Sequence, residues 1–373
     1  MTPFLIGLVG GASRLAPSSY ISAARTLLTA AFRFRSADPP WDGNEPIREE
    51  LFGAERLEEH ARSLAAAQTA TAKPVKTYSL AARLTDNSAV LLGAYRDSVK
   101  AINEARAITP AAEWLIDNYH LVERHIRQIH ADLPPGYYRQ LPKLASGPLS
   151  GYPRVLGIAW AFVAHTDSRF DPEILARYIR AYQTAQTLTI GELWAASITL
   201  RIVLIENLRR VAQQTVANRY AREQADAIAD RLLGVGGGDA EPAAVVLAVH
   251  QQGALSEALA VQLAHRLRDQ DPSVTPALTW LDQRLAMQGT TADAAVRDVH
   301  RRQGTANVTV RNIITSLRLI SDIDWTESFE RVSLINETLA AGGAFKSMDF
   351  PTRNLYRSAV EVLARGSGRS EGA

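Results

Sequence analysis

The chain has 373 residues, 41 of them basic and 39 acidic, a formal net charge of +2, a hydrophobic content of 46% and no cysteine. That balance excludes a disordered polyelectrolyte, a collagen and a disulfide scaffold, and the length allows two or three domains. The weak charge offers no concentrated basic stripe, so nucleic acid is not an expected partner, and without cysteine there is no thiolate nucleophile.

Residues 1–44 are expected to be a flexible leader. The apolar run Phe4–Ala12 is too short to cross a bilayer and has no basic region before it. Ser36–Pro46 has the composition of a linker. From about residue 47 onward helical periodicity dominates and strand-like alternation is nearly absent. The fold expected is all-α, an array of packed helical hairpins with no substantial sheet. The glycine run Gly234–Gly238 is the best internal boundary. It suggests helical domains over 45–234 and 240–367, followed by a tail at 368–373.

Starts in which a capping residue precedes proline recur at Thr109-Pro110, Asp171-Pro172 and Thr275-Pro276. From Thr109 a helix should run to about His130, with Leu115, Asn118, Tyr119, Val122, Ile126 and Ile129 on one face. A second helix, about 188–214, is apolar almost all round and should be buried. A third, about 306–320, carries Val310, Ile313, Ile314, Leu317 and Ile320 at helical steps.

No complete catalytic motif stands in the chain. Gly7–Gly11 and Gly234–Gly238 do not complete a dinucleotide fingerprint. His120, His125 and His130 are five apart, which turns each about 140° from the last and keeps them from sharing one ion. Asp322-Ile-Asp324 has the spacing of a diphosphate-binding acidic pair, but it follows a predicted helix, and Asp324 reads as the cap of the next one. No tryptophan is preceded by arginine, so the Q-x-x-R-W motif of processive glycan synthases is absent.

Two groups of residues carry candidate chemistry. On the central helix Glu192, Thr199, Glu206 and Arg210 are spaced by seven, seven and four, a polar stripe on an apolar helix. The stripe suits interhelical ion pairs that fix register, or a polar cleft for a sugar. Glu192 and Glu206 lie about 21 Å apart along one helix, well beyond the ~5–9.5 Å of a glycosidase pair, so they cannot be partners in that chemistry. The second group is the block from Pro134 to Asp171, rich in Tyr, Trp, Arg, Asp and His. Its Tyr137, Tyr138, Arg139, Tyr152, Arg154, Trp160, His165, Asp167 and Arg169, with Glu192 and Glu206, are the candidate glycan-binding or interaction residues. Flat aromatic faces suit sugar rings, and charged side chains suit hydroxyls. No catalytic or metal-ligating residue is assigned.

Long ordered stretches of this sequence resemble the N-terminal cytoplasmic region of bacterial cyclic β-1,2-glucan synthases. They are TPAAEWLIDNYHLVERHIRQI (109–129), LPPGYYRQLPKL (133–144), GYPRVLGIAWAFVAHTDSRFDPEILARYIRAYQ (151–183), LTIGELWAASITLRIVLIENLRR (188–210), NVTVRNIITSLRLISDIDWTESFERVSLINETL (307–339) and MDFPTRNLYRSAVEVLAR (348–365). The similarity extends over about 45–367. It implies a region of a very large inner-membrane enzyme that uses UDP-glucose and a divalent metal in its transferase portion. The partners so implied are the transferase and membrane portions of that synthase, and β-1,2-glucan itself. The implied place is the cytoplasmic face of the inner membrane. The family's catalytic residues have no matching positions here, so the region is expected to scaffold or regulate without cofactor or catalysis of its own, or else to bind glucan.

Overall fold

The computed structural model describes residues 43–132, 134–235, 240–247, 254–270 and 272–372. Most of the leader, the Gly7–Gly11 run and Gly236–Gly238 lie outside the described residues. All those described fall in one unit, residues 38–373.

The secondary structure is helical, as the periodicity leads one to expect. In chain order the helices are α1 (Ala54–Ala67), α2 (Leu80–Asn103), α3 (Pro110–Asp132), α4 (Pro135–Gln140), α5 (Arg154–His165), α6 (Pro172–Gln183) and α7 (Ile190–Leu233). They continue with α8 (Ala243–Leu247), α9 (Glu257–Leu267), α10 (Thr275–Met287), α11 (Ala292–Asp322), α12 (Trp325–Val332), α13 (Leu334–Ala341) and α14 (Phe350–Ser367). Among the described residues the only sheet is an antiparallel pair, β1 (Ala70–Thr71) with β2 (Lys143–Leu144).

Local chemistry explains most of the boundaries. Asp171 caps α6 by accepting from the N–H groups of Glu173 and Ile174, with Pro172 opening the helix. Thr109 accepts from Ala112 N at the start of α3. Asp324 accepts from Thr326 and Glu327 N at the start of α12, so the acidic pair is a helix end followed by a cap. Thr275 differs from expectation: it lies inside α10, whose cap is Val274 with no side-chain hydrogen bond. A 3-10 turn over Pro272–Val274 feeds directly into that helix and leaves no place for a separate capping side chain.

The 44-residue helix α7 is the axis of the molecule. It is buried through residues 190–212, apart from partial exposure at Gly191, Trp194 and Arg201. Helices α2, α3, α5, α9 and α11 all pack against it, while α1 lies on α6 and α11 on α3. Two apolar clusters result. The larger joins residues from Ile47 to Ala212 with Val310 to Ile335; the smaller joins Ala225 to Ala295. Both α7 and α11 run from one cluster to the other. Each is longer than its apolar run suggests: α7 continues 19 residues past 214, and α11 starts at Ala292 rather than near 306. The added turns are polar on the outside and bury only one side, so a search for continuous apolar stripes stops short of them.

Candidate functional site

The polar stripe on α7 is consumed by guanidinium–carboxylate pairs. Glu192 opens the helix in a reciprocal capping box with Thr189: Thr189 Oγ1 accepts from Glu192 N, and Glu192 accepts from Thr189 N. The same fully buried carboxylate takes a two-pronged contact from Arg154 at the start of α5, at 2.8 and 2.6 Å. The remaining Arg154 donors reach Gln186 Oε1 and the Thr187 carbonyl. Four hydrogen bonds from that guanidinium therefore end on protein acceptors.

Two heptads further along, about four turns, Glu206 sits among three guanidiniums. Arg83 of α2 donates from Nε and Nη2 at 2.9 and 2.8 Å, Arg209 at 2.6 Å and Arg210 at 2.8 Å, and Asn87 adds a fourth donor at 2.9 Å. Burial alone would raise the pKa of Glu206; the Arg83 hydrogen bonds and the three nearby positive charges reverse this and hold its carboxyl far below the ordinary range. Thr199, between the two glutamates, bonds back to the Ala195 and Ala196 carbonyls.

The same helix face grips the segment that leads into α1. Asn207 Nδ2 donates to the Ile47 carbonyl and its Oδ1 accepts from Ile47 N, as a strand neighbour would. Arg210 donates to the Glu45 carbonyl and Arg209 to Asn44 Oδ1. Further along, Glu49 N and Phe52 N donate to the Ala164 and His165 carbonyls.

The residues of the Pro134–Asp171 block are distributed rather than gathered. Tyr137 on α4 donates its hydroxyl to the Gly191 carbonyl. Tyr138 lies against Lys143, whose ammonium donates to the Tyr138 carbonyl and sits 3.5 Å from the ring centre. Arg139 is exposed and Tyr152 is buried. Trp160, half-buried, lies 5.2 Å under the Arg210 guanidinium. His165 stacks on Phe52 at 4.1 Å, with Nδ1 2.7 Å from the Glu50 carbonyl and Nε2 3.3 Å from Glu49 Oε2. Arg169 points to solvent.

Asp167 and Ser168 form a knot. Both take positive φ, +49° and +62°, which costs non-glycine residues free energy and persists only where the surroundings enforce it. Here they do. Thr309 donates to Asp167 Oδ1, Asn312 to its carbonyl, Ser316 to the Ser168 carbonyl and Asn207 to Ser168 Oγ. Arg48 approaches the Asp167 carboxylate at 3.4 Å. Burial pushes the Asp167 pKa up despite the Thr309 hydrogen bond and Arg48. This turn ties α5, α7, α11 and the segment before α1 at one point.

The histidines of α3 diverge as their spacing requires: His125 is buried, while His120 and His130 are exposed. Among the described residues no three His, Asp or Glu side chains are grouped to hold a metal. Two polar features lay outside the sequence reading. Lys143 is buried with no acidic partner among the described residues, and burial lowers its pKa to about 8. The capping box of α7 was legible as Thr189-x-x-Glu192, a direct signal for the role of Glu192.

Fold and site together define an all-α array whose central helix is held by buried ion pairs. Over 331 residues the chain is 38% identical to cyclic beta-(1,2)-glucan synthase NdvB of Rhizobium meliloti (strain 1021), a match that takes in 88% of this chain and 12% of that protein. The resemblance read from the sequence motifs is thus shown, and the chain spans about 12% of the length of the curated relative it matches. No protein-family model matches the chain. No described helix is long and apolar enough to cross a membrane.

Proposed function

We propose that this helical array is the N-terminal region of a cyclic β-1,2-glucan synthase and works as a non-catalytic module that seats or regulates the UDP-glucose-dependent transferase portion at the inner face of the bacterial inner membrane. The 38% identity over 88% of the chain carries the reading. The state of the buried carboxylates supports it. Glu192 and Glu206 have no exposed surface and are neutralised by guanidiniums, an arrangement suited to holding helices together and unsuited to proton transfer.

A scaffold needs a surface for what it holds, and α14 offers one. Only Arg357 of this helix is fully buried, whereas Leu355 and, two turns further on, the adjacent Val362 and Leu363 are 71%, 64% and 70% exposed. We assign this face to the remainder of the synthase, the part of the relative's length that this chain does not cover. The test is Leu355→Arg with Leu363→Arg, placed in the full-length enzyme and also in the isolated chain. The isolated chain should keep its melting temperature within a few degrees. The synthase should lose at least tenfold in membrane-dependent β-1,2-glucan synthesis. Wild-type glucan output from the doubly charged enzyme would reject this assignment.

A further inference from the structure

The first turn of α7 is closed by two separate devices. The capping box serves the amides of Thr189 and Glu192 and does not reach that of Ile190, the first helical residue. The acceptor for Ile190 comes from a distant part of the chain: Glu371 Oε2 lies 2.7 Å from Ile190 N, across 181 residues. Gly368, at φ +68°, ends α14 in the left-handed conformation and turns the chain toward that contact. Helix α14 is thus anchored twice, by Arg353 and Arg357 on Glu330 at its start and by Glu371 on α7 just past its last turn. Between the anchors none of its apolar side chains is fully buried.

The two anchors differ in charge. Around Glu371 stand Glu192 of α7 and Glu361 and Arg365 of α14, with Tyr137 of α4 beside the same two glutamates. Glu192 is engaged by Arg154, and Glu361 accepts from Arg365 at 3.1 Å, whereas Glu371 forms no ion pair among the described residues. Glu361 Oε1 is 4.0 Å from where a Cβ on Gly191 would stand, so three carboxylates crowd one helix turn and share two guanidiniums. Tyr137 adds no charge: burial first, and then Glu361 and Glu192, push its hydroxyl pKa up, and that hydroxyl donates to the Gly191 carbonyl. Burial raises the pKa of the Glu371 carboxyl, and Glu361 and Glu192 add to this; the Ile190 N–H and Arg365 oppose it and offset it only in part. Glu330 behaves in the opposite way. Burial disfavours its charge too, but the hydrogen bonds and charges of Arg353 and Arg357 outweigh that and hold its carboxyl below the ordinary range.

We propose that Glu371 is a proton-tightened latch, which draws the end of α14 onto the first turn of α7 when its carboxyl is neutral and eases it off when that carboxyl is charged. A protonated carboxyl keeps a carbonyl oxygen for the Ile190 N–H and loses its repulsion from Glu361 and Glu192. The sign follows from linkage. An acid that binds its proton more tightly when docked than when solvated favours docking as the pH falls from neutral into the ordinary carboxylate range. Over most of that interval Glu330 stays charged, so the near anchor holds and the far end of α14 responds. The latch goes beyond the scaffolding reading and does not need it, since it works within this chain whether or not the outer face of α14 docks on the rest of a synthase.

The test is amide hydrogen exchange of the full 373-residue chain between about pH 7.5 and about pH 5, corrected for the intrinsic exchange rate and read at the Ile190 amide and over the last turn of α14. Protection at Ile190 should rise roughly threefold or more on acidification. Glu371→Gln keeps an acceptor without the charge, so at neutral pH it should show the protection that the wild-type chain reaches only in acid, and the pH dependence should vanish. Glu371→Ala should remove the protection at both pH values with the melting temperature little changed. Wild-type protection that stays level or falls on acidification overturns the inference. So does a Glu371→Gln chain that keeps the wild-type rise, or Ile190 protection that survives Glu371→Ala. None of these results bears on glucan synthesis by the Leu355→Arg, Leu363→Arg enzyme.

Discussion

At the scale of single residues, the interior of this protein is governed by where charge is placed. Glu206 pairs at once with Arg83, Arg209 and Arg210. Glu206→Gln keeps the shape and removes the charge that these three buried guanidiniums share. It should cost about 3–5 kcal/mol in urea unfolding, as breaking a buried pair from one side does. A loss below ~1 kcal/mol would mean that water or rearrangement already shares the load. His125 gives the pH dependence. Burial first, and then the Arg201 charge, hold its pKa at about 4, below the ordinary 6.5. The unfolded chain therefore takes up the proton first as the pH falls. The stability this histidine confers is complete above about pH 6.5 and drains away toward pH 4, by on the order of 2 kcal/mol after allowing for partial solvent screening. A stability-against-pH curve should show that slope, and His125→Leu should flatten it. A slope unchanged in the variant would assign the acid sensitivity elsewhere.

At the scale of elements, helices here are begun by caps and fixed in place by arginines. Helix α14 shows this most clearly. Arg357 passes between the rings of Phe329 and Phe350 and pairs with Glu330 and with Asn336 Oδ1, while Arg353 takes the same carboxylate at 2.8 and 3.0 Å. Because this arginine staple does the docking, the apolar face of α14 is left outward. Arg357→Ala should release α14 as a unit: amide hydrogen exchange over 350–367 should lose its protection while that of α7 persists. Retained protection would show that the remaining contacts suffice to hold the helix. The caps at Thr109, Asp171 and Asp324 were legible in the sequence because a cap involves only neighbours within three residues. The start of α10 was misread for the same reason turned round. Thr275-Pro276 has the local pattern, but the preceding 3-10 turn already supplies the entry, and that turn is set by packing around Val274.

At the scale of the whole molecule, two long helices organise everything else. Helix α7 carries charged residues at heptad-like spacing on an apolar rod, which announces a central helix with a polar seam, and the seam proved to be ion pairs between helices. The candidate block of aromatic and charged residues was legible as unusual composition only. Composition does not say which way a side chain points, and Arg154, His165 and Asp167 turn to partners within the chain.

The sequence by itself determined the helical class, the principal caps, the burial of α7 and the kinship with a glucan synthase. All four follow from local steric periodicity, from hydrogen bonds that close within a few residues, or from identity along the chain. Only the tertiary structure decided which guanidinium meets which carboxylate. Arg83 and Glu206 are 123 residues apart and Arg154 and Glu192 are 38 apart. No local rule couples such positions; they meet because the helices that carry them bury their apolar faces in one register, and the buried charges admit no other.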